Sequence, residues 1–187
     1  MNIKNHFLVA MPSMMDSNFR YAVIYICEHN DEGSMGLIIN RPIDISVGNM
    51  LDQIDIDRPL AVTRPNSLQQ PVFFGGPVSE DRGFVLHKSN NLYGSSIKLA
   101  NNITVTTSKD ILGLLGTSNE PEQFIVALGY TGWEKGQLEK ELADSSWLVI
   151  EADPKVIFDE PVNLRWKKAI EQLGINPLHL SHDIGHA

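Results

Sequence analysis

The chain has 187 residues, 42% of them hydrophobic and 20% charged, and its fifteen Lys plus Arg against twenty-three Asp plus Glu leave a formal net charge of −8. That balance excludes disorder, a collagen-like chain and a disulfide scaffold, and the length suits one domain of about 100–200 residues with its own core. The acidity is spread evenly, seven basic to ten acidic residues in 1–93 and eight to thirteen in 94–187, so no basic region offers the counterion-releasing contacts that drive phosphate binding. Residues 20–29 are β-branched, aromatic or small, and period-two alternation puts Tyr21, Val23, Tyr25 and Cys27 on one face of a strand. The Asn30-Asp31-Glu32-Gly33 turn cluster leads into a second apolar strand over 35–40, making a hairpin. Ser46 is placed to cap a helix carrying Val47, Met50, Leu51 and Ile54 at helical spacing, with Pro59 beyond its end. Residues 57–70 read as a surface loop.

Short strands follow over 72–74, 84–87, 97–99 and 103–107, read as antiparallel pairs around Gly75-Gly76-Pro77-Val78 and an Asn101-Asn102 turn. Ser108 is placed to cap a helix over 109–115. Residues 124–128 form a buried strand ending in Gly129 and Tyr130, and a helix is expected over 133–143. A strand over 147–150 and a helix over 162–173 complete the series, with Val162, Trp166, Ala169, Ile170 and Leu173 on one stripe and Gly174 to end it. Arg165, Lys167 and Lys168 read as the solvated face of that helix, and residues 177–187 as a flexible tail. Strands so closely spaced leave no room for helical crossovers, so the expected fold is α+β, a single domain spanning 1–187 on a mostly antiparallel sheet with flanking helices.

Cys27 is the only cysteine, the apolar run at 7–11 is too short for a signal peptide, and the longest apolar run, 22–27, falls far short of the ~18 residues of a membrane span. These features point to the cytoplasm and away from a membrane.

Several constellations carry candidate chemistry. Gly129 and Gly132 bracket Tyr130 just before an expected helix N-terminus, a turn suited to an anion, and spacing of four places Trp133, Gln137 and Glu141 on one helix stripe. The same residues also fit a tight turn with a core tryptophan. Gly75 and Gly76 permit close backbone approach to a ligand, or a simple turn. Asp16, His29 and His87 fit an acid–base set if they converge, since a histidine titrates near neutral pH, although strand-end histidines are commonly satisfied by hydrogen bonds. Cys27 and His29, two apart, point to one side of a strand, but apolar neighbours favour an inert, buried thiol. His179, His182 and His186, with Asp183, fit zinc by spacing and equally fit a non-ligand tail, so no metal or cofactor is assigned.

The ordered series Phe7-Leu8-Val9-Ala10-Met11-Pro12, Asp16, Phe19, His29 and Gly36-Leu37-Ile38-Ile39-Asn40-Arg41-Pro42 continues in Gly75-Gly76-Pro77-Val78, Leu86-His87, Gly129-Tyr130-Thr131-Gly132-Trp133, Gln137-Leu138-Glu139 and Glu141-Leu142. Together these resemble the YqgE/AlgH family from about residue 7 to 174. The resemblance implies a cytosolic bacterial protein with a partly barrel-like antiparallel sheet. A role in transcriptional regulation is attached to some members, and no catalytic residue carries over. The expectation is a non-catalytic regulatory protein that binds a small ligand or a protein partner, with regulation indirect and Asn40 among the site positions. The alternative is a small hydrolase or acid–base enzyme using His29, His87 and Asp16; direct nucleic-acid binding is disfavoured by charge.

Overall fold

Runs rich in β-branched and aromatic residues become strands because such side chains pack well on a pleated surface. In the computed structural model, which describes residues 1–89 and 91–180, these runs build a ten-stranded sheet. The strands are β1 (His6–Ala10), β2 (Val23–Asn30), β3 (Gly33–Ile38), β4 (Pro42–Ser46), β5 (Pro71–Phe74), β6 (Val78–Lys88), β7 (Ser96–Lys98), β8 (Ile103–Thr106), β9 (Gln123–Glu134) and β10 (Trp147–Glu151). The main path runs β10-β1-β2-β3-β9-β6-β8-β7, and β5 joins β4 to β9 beside it. Every pairing is antiparallel except β5 with β9.

Side-chain alternation sorts the core. Phe7, Val23 and Tyr25 from β1 and β2 share one cluster with Phe84, Leu86 and Val105 from β6 and β8. Strands this far apart in the path meet only if the sheet curls around that face, giving a partly closed barrel. Ala169 and Ile170 of the helix Arg165–Glu171, with Val156 and Ile157 of the helix Pro154–Phe158, fill its inside. On the outer face Leu8, Ile24, Ile26, Trp133 and Trp147 pack with Leu138, and Val72, Val85 and Val126 pack with Val47, Met50 and Leu51 of the first helix (Val47–Gln53). Ser46 caps that helix as expected, its Oγ accepting the Asn49 amide at 3.1 Å.

Several boundaries differ from expectation. Tyr21 is not on the strand face: its φ of 56° breaks the extended run, and Asn40 holds the break, donating to the Tyr21 carbonyl at 2.8 Å and accepting the Val23 amide at 2.9 Å. β5 does not pair with β6 but lies parallel to β9. Residues 65–68 of the expected loop form a helical turn (Pro65–Leu68). Ser108 caps no helix: its Oγ takes the Ser95 amide and donates to Asp110, and a 3-10 turn (Leu112–Leu114) stands where a helix was expected. Arg165 leaves the solvated face. It is 5% exposed, donates to the carbonyls of Ile39 and Glu160, and lies over the Phe73 ring; burial pushes its pKa down to about 10. The expected tail begins with a helical turn, Pro177–Leu180 that includes His179; His182, Asp183 and His186 lie outside the described residues.

Candidate functional site

Gly129-Tyr130-Thr131-Gly132-Trp133 is not a turn before a helix. β9 runs through all five residues, and the helix that follows covers only Gln137–Ala143, so Trp133 lies on a strand and shares no helical stripe with Gln137 and Glu141. The glycines serve backbone packing. Gly129, at φ 75°, stands opposite a bulge in β6, where the four residues between Val78 and Gly83 face this one residue of β9 and the two strands lose register. Gly75 and Gly76 cross this bulge so closely that a Cβ on either would overlap the main chain of Gly129 or Tyr130. The Gly75 amide donates to Leu128, and its carbonyl accepts from Ile38 at 2.9 Å and from the Thr131 hydroxyl at 3.2 Å. These groups are already paired within the chain. Trp133 is 6% exposed, and its indole N–H donates to Glu141 Oε2 at 2.5 Å. Gln137 Oε1 accepts the Glu134 amide at 3.1 Å.

The acid–base candidates are each engaged by different neighbours. β2 bulges between Ile26 and Glu28, which reverses alternation. Cys27 and Glu28 therefore share the inner face, and His29 points to the outer one, against the expectation that Cys27 and His29 share a side. His29 Nδ1 lies 2.6 Å from Ser34 Oγ, and Nε2 lies 3.0 Å from the Met1 carbonyl and 3.6 Å from Glu139. His87 is wholly buried beneath Tyr93, with Nε2 at 2.8 Å from Thr106 Oγ1 and Nδ1 without a partner among the described residues; desolvation lowers its pKa to about 4. Asp16 accepts the Asn18 amide at 2.8 Å in the loop that Arg41 ties down through the carbonyls of Ser17, Asn18 and Arg20. Burial pushes the Cys27 thiol up to about 12. Among the described residues, no group of three or more His, Cys, Asp or Glu is arranged to hold a metal ion.

What the bulges do create is a cleft of about 720 Å³ between the β2–β3 hairpin and the β7–β8 hairpin. By shifting alternation, Gly129 turns Tyr130 onto the inner face, where its ring meets Phe84 edge-on at 5.8 Å. Arg82 covers the Phe84 ring at 5.2 Å. Met35 and Val105 extend this apolar floor, and the lips carry two exposed apolar side chains, Val78 at 38% and Ile97 at 40%. One wall is acidic. Gly33 pairs with Glu134 and Met35 with Glu28, bringing Glu28, Glu32 and Glu134 to one end, all exposed and none in an ion pair among the described residues. Of the sequence-predicted positions, Tyr130, Gly132 and Trp133 line this cleft, whereas Asp16, His29, Asn40, His87, Gly75, Gly76, Gly129, Gln137 and Glu141 do not.

Residues 7–178 match the family model described as AlgH-like. The chain belongs to the AlgH-like family. It is 62% identical over its whole length to a UPF0301 protein of Photobacterium profundum and 61% identical to one of Vibrio cholerae, each covered in full. The solution structure of the AlgH protein from Pseudomonas aeruginosa superposes with a TM-score of 0.79 at 43% identity, over 99% of this chain and 96% of that one. A Corynebacterium diphtheriae protein shares the fold, with a TM-score of 0.71 at 22% identity over 97% of this chain and 92% of that one. In this AlgH-like chain two motif segments that mark the family resemblance, 75–78 and 129–133, meet at the glycine crossing, so their spacing reflects close main-chain approach and the aim of Tyr130 into the cleft. No helix among the described residues is long and apolar enough to cross a membrane.

Proposed function

We propose that this AlgH-like protein is a cytoplasmic, non-catalytic binding protein, acting in regulation through a partner received in the cleft between the β2–β3 and β7–β8 hairpins. The observation that carries this reading is an open concavity with an apolar aromatic floor, exposed apolar lips and an acidic wall. Apolar area with a few oriented polar groups is what binding sites supply. The chain's buried thiol and its two candidate histidines lend it no support as a reaction centre: Cys27 is held protonated, His87 is held neutral, and His29 is occupied on both nitrogens. The test compares proteins retained from producing cells by the wild type, by Ile97→Glu and Val78→Glu at the lips, and by Met15→Glu, an exposed apolar position outside the cleft. Loss of the retained set in the two lip variants alone supports the reading. Equal retention by all four, or turnover of an ester, phosphoester or amide panel that disappears in His87→Ala, refutes it.

A further inference from the structure

One wall of the cleft is a strand with an uncovered side. Among the described residues β7 ends the sheet order and pairs with β8 alone. The Thr107 amide donates to the Ser95 carbonyl at 2.9 Å and the Leu99 amide to the Ile103 carbonyl at 2.8 Å. By the alternation of an antiparallel ladder, Ile97 then exchanges bonds with Val105. The main-chain N–H and C=O groups of Ser96 and Lys98 point the other way, along the side of β7 that no strand among the described residues covers. The side chains of Ile97 and Val105 stand on the face that lines the cleft, while that of Lys98, with Thr104, stands on the opposite face. A lysine on a short edge strand discourages indiscriminate pairing, and here it does so without obstructing the cleft face.

We infer that the cleft takes an extended basic segment of a protein partner, which adds as a strand to the uncovered side of β7. The inference deepens the proposed binding role and rests on it. Two features select this occupant. An extended chain offers main-chain partners to Ser96 and Lys98, and its period of two sets alternate apolar side chains toward Tyr130 and Met35. The carboxylates of Glu28, Glu32 and Glu134, unpaired within the described residues on a chain of net charge −8, complement lysine or arginine on that segment.

The test is fluorescence anisotropy of the full-length protein with a labelled eight-residue peptide of alternating lysine and valine, and with two N-methylated forms, one methylated on each valine amide and one on each lysine amide. In an added strand only one set of amides faces β7, so one form weakens by about tenfold or more while the other stays within about twofold of the parent. Lys98→Pro, which removes an outward N–H and no bond to β8, weakens the parent peptide in the same way. The corresponding glutamate–valine peptide does not bind. Equal affinity of the parent and both methylated peptides overturns strand addition, as does failure of the lysine–valine peptide to bind. If equal affinities are accompanied by loss of binding in Ile97→Glu, the cleft remains a binding site and only the mode of recognition fails; if Ile97→Glu and Tyr130→Ala also bind as the wild type does, both fail.

Discussion

Acidification from about pH 7.5 to about pH 4 should withdraw a defined amount of stability through one side chain, His87. Its imidazole is wholly buried, is bonded through Nε2 to Thr106, and has its pKa lowered by desolvation from 6.5 to about 4. The folded protein therefore keeps the ring neutral while the unfolded chain takes up a proton below about pH 6.5. The stabilisation is fully present above that pH, declines as pH falls, and stops declining below about pH 4. At about 1.4 kcal/mol per pKa unit, the full loss is about 3 kcal/mol. Urea unfolding across this pH range, for the wild type and His87→Gln, isolates the effect from the carboxylates: Gln cannot ionise, and its amide can still reach Thr106. The difference in unfolding free energy between the two proteins should narrow by about 3 kcal/mol from neutral to acid pH. Parallel curves, or an imidazole that titrates near 6.5 by NMR, would refute the assignment of His87 as a buried neutral base.

Gly129→Ala should destabilise the fold by about 3 kcal/mol or more, because φ is 75° and the added Cβ overlaps the Gly76 carbonyl; thermal or urea unfolding checks this, and a loss under about 1 kcal/mol would contradict the crossing. Trp133→Phe removes the indole bond to Glu141 and should cost about 1.5–3 kcal/mol by urea unfolding, with Glu141→Gln costing less because its amide oxygen still accepts the indole proton. Cys27, buried and with its pKa pushed up to about 12, should resist iodoacetamide at mildly alkaline pH in the native protein and react fully in urea; rapid labelling of the folded protein, followed by mass, would show the thiol to be accessible.

Local signals made much of the fold legible. Alternation over 20–29 and the Asn30–Gly33 turn cluster produced a hairpin, Ser46 capped its helix, and the short strands around Asn101-Asn102 paired as antiparallel neighbours. Reading ended where a long-range contact decides. Gly129 looks like the end of a strand because a positive-φ residue commonly stops one; here β6 and β3 pair on either side of it and carry β9 on to Glu134. The bulge in β2 is likewise silent in composition, yet it reverses the facing of His29 relative to Cys27. Arg165 resembles its neighbours, the exposed Lys167 and the half-buried Lys168, and the carbonyls of Ile39 and Glu160 explain its burial. The cleft itself joins Met35, Arg82, Phe84, Ile97 and Val105 from separate hairpins, and no local pattern relates them. Tyr130 was legible as an aromatic between glycines, but its aim into the cleft depends on the bulge.

The most direct test of the cleft as the binding surface is a map of amide chemical-shift changes as the lysine–valine peptide is titrated into the isotopically labelled protein. Binding there predicts saturable shifts concentrated at Glu28, Met35, Phe84, Ile97 and Tyr130, with residues around Asp16 unmoved. Saturable shifts centred on Asp16 or on the helix over Arg165–Glu171, with the Tyr130 and Ile97 amides unchanged, would contradict it.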